Sequence, residues 1–445
     1  MSAYFDINNL NVGFQTTDDK KTVLDIDSLH IERGQVYGIV GESGSGKTVL
    51  SRTILRLLPE PPCIITPESE IMFDGENLLR CSEKHIRGKI RGRRIAMIFQ
   101  DPMSTLNPVF TVGRQISDVI IACRGLDRKK AETGALEMLE RVRMSDAARI
   151  MSKYPHELSG GQRQRVIIAS ALSCGAEFLI ADEPTRNLDV TIQAGILRIL
   201  EDLRRELGIT VLYLANNMGL VSVTCDKVSV LRDGVIAESG SARSVISSPK
   251  TEYTKTFLRS VPETEDADPL PGADEIMRVS DLKKYFELRT GFLGTARKYI
   301  RAVDGVSFSM RRGETLGIVG ESGCGKTTLI NVLINLDKPT SGTVRFNGCD
   351  LAGLSKPEMR AVRRSIQVVF QDPFWSLDPR MLIRDIVGEP LKAHEKLTAE
   401  AYSRKVGELL ELVGLPKESA YGFPHEFSGG QRQRIAIARA LALET

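Results

Sequence analysis

The 445-residue sequence predicts an α/β protein in which one fold is used twice, and three observations carry that prediction. Long segments recur in the same order: GIVGESGSGKTVL (38–50) as GIVGESGCGKTTL (317–329), IFQDPMSTLNP (98–108) as VFQDPFWSLDP (369–379), and YPHELSGGQRQRVIIASAL (154–172) as FPHEFSGGQRQRIAIARAL (423–441). Their separations hardly drift: 279 residues part Lys47 from Lys326, 271 part Gln100 from Gln371, and 269 part Ser159 from Ser428. A period that long marks a duplicated domain rather than a solenoid. In each copy a short apolar run (VYGIV, TLGIV) feeds a Gly-rich loop and then a helical pattern (TVLSRTILRLL, TTLINVLINL).

Composition narrows the class. Apolar residues make up 42% and charged residues 26%, which excludes collagen-like, disordered and low-complexity chains. Lys+Arg 60 against Asp+Glu 57 leaves +3, too balanced to argue for a nucleic-acid surface on charge alone. No uncharged apolar stretch approaches the roughly 18 residues of a membrane helix. The N-terminus, MSAYFDINNLNVGF, has neither the basic nor the apolar region of a signal peptide. The seven Cys are scattered without a C-x-x-C, so neither a disulfide framework nor a zinc site is expected. The expectation is a soluble, reduced, cytosolic, multidomain protein.

The Gly-rich loops come first in each copy. Gly41-Glu42-Ser43-Gly44-Ser45-Gly46-Lys47-Thr48 and Gly320-Glu321-Ser322-Gly323-Cys324-Gly325-Lys326-Thr327 both fit G-x-x-x-x-G-K-[ST]. Glycines let backbone N–H groups wrap a phosphate at a helix N-terminus, where the dipole favours anions. Lys47 and Lys326 would reach the β- and γ-phosphates, and Thr48 and Thr327 would ligate Mg²⁺. Chance yields only about 0.015 such motifs in a chain of this length, so two at equivalent places are not accidental.

The basic run Arg87–Arg94 reads as a solvated helix leading into the strand IAMIFQ, since no interleaved aromatics accompany it. Ser159-Gly160-Gly161-Gln162 and Ser428-Gly429-Gly430-Gln431 each open a helical pattern, a second anion-binding geometry whose competing reading is a simple N-cap. FLIA (178–181) is a buried strand ending in Asp182 and Glu183, placed to hold Mg²⁺ and to polarise an attacking water respectively. KVSVLRDGVIAESG (227–240) predicts two strands about an Asp-Gly turn, and 244–262 a helical tail. The domains are then 1–262, an acidic Pro-containing linker 263–275, and 276–445.

Taken in order, these motifs resemble the ATP-binding cassette (ABC) ATPases over essentially the whole chain. The resemblance implies two RecA-like P-loop NTPase cassettes binding ATP and Mg²⁺. Each would have an antiparallel β-layer (about 4–36 and 276–315) and a helical subdomain after Gln100 or Gln371. Cassettes of this family pair head-to-tail. Site one would comprise Lys47, Thr48, Gln100, Asp182 and Glu183, facing Ser428, Gly429, Gly430 and Gln431. Site two would set Lys326, Thr327 and Gln371 against Ser159, Gly160, Gly161 and Gln162. Thr48, Gln100, Asp182, Thr327 and Gln371 would serve the metal. Glu183 and Gln100 are implied as catalytic, with Asn216 standing after the strand TVLYLA where the family has a His. Phe14 and Phe286 are implied to stack on adenine, with strand core the competing assignment and Tyr285 a competing ring. Arg186 and Asn187 stand where the family has small residues, a departure that touches signalling between cassettes.

MIFQDPMSTLNP, EPTRNLDVTIQAGIL and SPKTEYTKTFLRSVP look like the peptide/nickel/opine importer ATPases, and fusion of both halves is similar to the glutathione-type importers. That implies two transmembrane permease subunits as partners and, through them, a solute-binding protein. It also implies peripheral attachment at the cytoplasmic face of the inner membrane, and no nucleic acid. The segment after SVP carries no Cys cluster, so no iron–sulfur centre is expected. The alternatives are a soluble tandem cassette in translation or DNA repair, which would need a charged inter-cassette helix or zinc-binding Cys pairs, and a hydrolytically weak regulatory cassette.

The late offset puts the counterparts of Asp182 and Glu183 at 451 and 452, beyond Thr445. The second site is therefore expected to be inert as the sequence stands, the sequence itself being part of a longer protein. The strand it lacks is expected beside the phosphate loop. Its lack is expected to expose sheet edges and the apolar face of the helix 432–443.

Overall fold

The computed structural model describes residues 4–15, 20–186, 188–259, 274–290, 296–321, 323–371 and 376–443. Asn187, Ser322 and most of the expected linker (263–273) lie outside the described residues. Backbone contacts divide the chain between Glu265 and Asp266 into two units.

In the first unit, alternation of apolar and polar residues makes half-buried strands. β1 (Phe5–Gln15) and β2 (Lys20–Ile31) pair antiparallel, with Phe5 opposite Ile31 and Leu10 opposite Ile26. β3 (Val36–Val40) begins a different sheet and runs through the Gly-rich loop into helix α1 (Lys47–Ile54). β4 (Cys63–Ile65), β5 (Glu70–Phe73) and β6 (Glu76–Asn77) return to the antiparallel sheet, whose order is β2-β1-β5-β6 with β4 on β1.

The second sheet takes β7 (Ile95–Ile98), then helices α2 (Val112–Arg124), α3 (Arg128–Arg141) and α4 (Gly160–Leu172) intervene before β8 (Phe178–Asp182). α5 (Val190–Leu207), β9 (Thr210–Ala215), α6 (Met218–Thr224), β10 (Lys227–Arg232), β11 (Val235–Ser241) and the tail helix α7 (Glu252–Arg259) follow. Its order is β11-β10-β3-β9-β8-β7, parallel throughout except for the β10–β11 hairpin. Every residue of β3, β7, β8 and β9 is buried, as strands covered on both faces require. The expected turn at Asp233-Gly234 is present with both residues left-handed (φ 47° and 86°).

Two expectations are corrected here. The strand bearing Asp182 is not the neighbour of the phosphate-loop strand, because β9 lies between them. The basic run is a solvated helix only in its first half: a helical segment (Glu83–His85 and the π-turn Ile86–Ile90) exposes Arg87 and Lys89, and the arginines after it hold the structure together. Arg91 donates to the carbonyls of Leu55 (2.6 Å) and Arg56 (2.5 Å) at the end of α1, and Arg94 bridges Glu177 (2.6 Å) and Asp74 (2.5 Å).

In the second unit β12 (Glu275–Thr290), β13 (Ala296–Arg311), β14 (Ser341–Phe346) and β15 (Cys349–Asp350) form an antiparallel sheet in the order β13-β12-β14-β15. Helix α8 (Lys326–Leu333) follows the Gly-rich loop, and α9 (Ala399–Leu412) and α10 (Gly429–Ala440) belong to a helical cluster. A parallel core sheet, which a RecA-like cassette would have here, is not found among the described residues. The segments matching β3 and β7, 315–319 and 366–369, are not strands, and Val319 is 95% exposed where its counterpart Val40 is 0%. The physical reason is pairing: β3 is held by β9 and β10, whereas no strand among the described residues pairs with 315–319. The helix 432–443 does not lay its apolar face bare, however, since Ile435, Ala436, Ala438, Ala442 and Leu443 are buried in the helical cluster.

The tail of the first unit is fixed by one buried carboxylate. Glu238 on β11 accepts from the backbone N–H of Lys250 (2.9 Å) and Thr251 (3.1 Å) at the start of α7. Burial acts to raise its pKa, but these N–H bonds and the Thr254 and Thr251 hydroxyls override it and hold the carboxyl below its usual value. A depressed folded-state pKa gives stability that is present above the unfolded value, about 4.3, and lost as pH falls through the folded one. Glu238→Ala should therefore cost about 1–3 kcal/mol at pH 7 in urea denaturation, and the difference from the parent should shrink below about pH 4.

Candidate functional site

The first Gly-rich loop is shaped by two left-handed glycines, Gly44 (φ 89°) and Gly46 (φ 105°), the latter capping α1. Gly41 is required for a different reason: a Cβ there would lie 2.2 Å from the Leu231 carbonyl oxygen. The β10–β11 turn also donates from Gly234 N–H to the Ser45 carbonyl at 3.1 Å, so the hairpin clamps the loop. Glu42, Ser43 and Gly44 are exposed, and Thr48 is half-buried. Lys47 is buried, its Nζ donating to the Gly41 and Glu42 carbonyls (both 2.8 Å) and to Ser45 Oγ (3.4 Å). Burial lowers its pKa, against the pull of Glu183 and Asp182.

Asp182 ends β8 and Glu183 follows it directly. Asp182 is 1% exposed, and burial raises its pKa against a hydrogen bond from the Thr48 hydroxyl. Ser51 Oγ donates weakly to its Oδ2 (3.4 Å), and its Oδ1 is buried without a hydrogen-bond partner. Such an orphaned carboxylate oxygen beside a threonine hydroxyl is costly unless a ligand completes it, and the oxygen donor set fits a hard divalent cation such as Mg²⁺. Thr48, Asp182 and Gln100 line one cavity of about 360 Å³. Glu183 is left-handed (φ 46°) and nearly buried; its Oε2 accepts from Gln100 Nε2 and from the Arg186 guanidinium, each at 2.9 Å.

Asn216 follows β9 directly and is exposed, while Asn217 caps α6 by accepting from Gly219 N–H at 2.7 Å. Ala215 pairs with Val40 and Leu214 with Asp182, so Asn216 stands at the same sheet edge as the loop and Glu183.

The Ser-Gly-Gly-Gln segments form reciprocal capping boxes. Ser159 Oγ accepts from Gln162 N–H (3.3 Å) and Gln162 Oε1 from Ser159 N–H (3.0 Å), and Ser428 and Gln431 repeat this at 3.3 and 2.9 Å. Gly161 is also a packing residue, since a Cβ would meet Ile192 of α5 at 2.7 Å, whereas Gly430 has nothing within 4 Å; Gly160 and Gly429 are loosely surrounded.

Phe14 packs at the margin of the antiparallel-sheet core. Phe286 is 39% exposed with the Lys284 ammonium 5.0 Å above its ring, and Tyr285 donates to Asp304.

The second loop keeps the shape of the first. Gly323 (φ 81°) and Gly325 (φ 104°) are left-handed, and Lys326 Nζ donates to the carbonyls of Gly320 (2.6 Å) and Glu321 (2.7 Å) and to Cys324 Sγ (3.6 Å). Gly320, Thr327 and Gln371 are exposed, and Ser322 lies outside the described residues. Sequence reasoning missed the Arg186–Glu183 ion pair, for which the three-residue spacing was a local signal, and the hairpin clamp, which depends on a contact distant in sequence. A further set of ligand-type side chains, Glu76, Cys81 and His85, is closed by its own His85–Glu76 hydrogen bond (2.8 Å) and by Arg94, 4.0 Å from Glu76.

The ABC transporter family model matches residues 24–186 and 303–445. The chain is 40% identical over 466 residues to the glutathione import ATP-binding protein GsiA of Escherichia coli (strain K12), covering 98% of this chain and 75% of that one. It is 41% identical to the peptidoglycan transport ATP-binding protein YejF of Agrobacterium fabrum, covering 98% and 80%. It is 43% identical to an ABC transporter ATP-binding protein YejF of Escherichia coli (strain K12), covering 98% and 82%. With two matched segments on a mixed α/β scaffold, the chain belongs to the ABC transporter ATP-binding family and is an ATPase coupled to transport.

Proposed function

We propose that this chain energises a binding-protein-dependent importer of peptides or related small solutes, with the first Gly-rich loop as its hydrolytic ATP site. One observation carries the site reading: Lys47, Thr48, Asp182 with its orphaned Oδ1, and Glu183 converge at one sheet edge. Lys47 would exchange its loop carbonyls for β- and γ-phosphate oxygens, while the loop N–H groups wrap the β-phosphate. Mg²⁺, held by Thr48 and Asp182, would supply charge neutralisation at the phosphates. Glu183 would orient the attacking water and take its proton, with Gln100 linking it to the segment that leads into the helical subdomain.

The GsiA and YejF relatives, by name a glutathione importer and a peptidoglycan transporter, support the solute class. No helix among the described residues is long and apolar enough to cross a membrane, so two permease subunits would supply the path and this chain would attach at their cytoplasmic face. An apolar groove of about 470 Å³ beside the Gln100 segment, lined by Leu57, Phe99, Phe110 and Val119 among others, supports docking there. Affinity purification from solubilised membranes should recover two permease subunits; recovery of ribosomes or DNA alone would overturn the reading.

The site makes two further predictions. Hydrolysis should cease in EDTA and return with Mg²⁺, and Asp182→Asn should weaken the Mg²⁺ dependence and lower turnover about 10²-fold or more. Asn216 has an amide that donates a hydrogen bond but neither becomes charged nor exchanges a proton as an acid or base near neutral pH, so site one should turn over slowly. Asn216→His should raise ATP turnover of the assembled transporter by up to about a hundredfold; an unchanged or lower rate refutes the argument.

A further inference from the structure

We propose that Arg186 is a positioning residue that restrains the Glu183 carboxylate and keeps turnover at the first site low until the loop bearing it moves. This rests on the reading of that site as hydrolytic. The turn 183–186 closes on itself twice: Arg186 N–H donates to the Glu183 carbonyl at 3.0 Å, and the Arg186 guanidinium donates to Glu183 Oε2 at 2.9 Å. Gln100 Nε2 donates to the same oxygen at 2.9 Å. The Glu183 backbone is fixed by its N–H bond to the Leu214 carbonyl (3.0 Å), so only its side chain has freedom to meet a substrate water.

Arg186 removes that freedom. The carboxylate side chain is 6% exposed and the guanidinium side chain 42%, so the cation covers the carboxylate from the solvent side. A general base works through an oxygen lone pair turned to the water it deprotonates, and two donors on Oε2 fix the orientation of the whole carboxylate, so they must yield before it can turn. Release has a structural route. Thr185 and Leu188 are tied to the first turn of α5, their carbonyls accepting from Gln193 Nε2 at 3.1 and 3.0 Å. A shift of that turn therefore carries Arg186 with it, while Glu183 stays with β9.

The test is steady-state ATPase activity of the full chain in its assembled transporter, with ATP affinity measured alongside. Arg186→Ser should raise kcat about tenfold at unchanged KM, and Arg186→Lys, which keeps a cation with fewer fixed donors, should fall between. In a Glu183→Gln background, followed by single turnover, Arg186→Ser should change nothing, because the ion pair is already gone. Unchanged or reduced kcat on Arg186→Ser, or the same gain without Glu183, overturns the proposal. Failure of the underlying site reading shows separately, as hydrolysis indifferent to Lys47→Ala, and takes this proposal with it.

Discussion

The site depends on one strand, β9, and within it on two consecutive carbonyls. Leu214 O accepts from Glu183 N–H at 3.0 Å, and Ala215 O accepts from Gly41 N–H at 3.3 Å. One peptide stretch thus holds the start of the phosphate loop on one side and the hydrolytic carboxylate on the other. The register on both flanks, Val40 with Ala215 and Asp182 with Leu214, fixes how far each projects beyond the sheet. A one-residue slip would turn these side chains to the opposite face. Pairing of this kind is non-local: residues 41, 183 and 215 meet only after some 170 residues of chain have been laid down.

The second unit separates the local from the non-local part of this design. Its loop has nearly the same left-handed angles as the first, and Lys326 makes the same pair of carbonyl contacts as Lys47. Those features come from four glycine and lysine positions and need no sheet. What differs is the surroundings. Lys47 is buried with Asp182 and Glu183 acting on it, whereas among the described residues Lys326 donates to loop atoms, and the apolar run before it is exposed. A phosphate loop is a property of a few residues; a catalytic site is a property of a paired sheet.

That division explains what the sequence made legible. The loops, the capping boxes at Ser159 and Ser428, the β10–β11 turn and the helical character of 252–259 are set by near neighbours, and their residue types announce them. Strand order is not written in periodicity, so the placement of Asp182 next to the loop strand was overturned by the interposed β9. The second half of the run Arg87–Arg94 reads as solvated because composition does not show that the carbonyls ending α1 need donors, which Arg91 supplies. Gly161 looked like a ligand-facing glycine, yet Ile192 approaches it too closely for any side chain. In each case the missing information was the identity of a partner distant in sequence.

The buried charges at the first site also set the terms on which a polyphosphate binds. Two carboxylates, Asp182 and Glu183, are met by two cations, Lys47 and Arg186, so the cluster is near neutral and each charge has an opposite close by. Lys47 spends its donors on neutral carbonyls, and exchanging these for phosphate oxygens replaces ordinary hydrogen bonds with charge-assisted ones of about twice the strength. Asp182 Oδ1 has no protein partner to surrender, so a cation there adds a bond without breaking one.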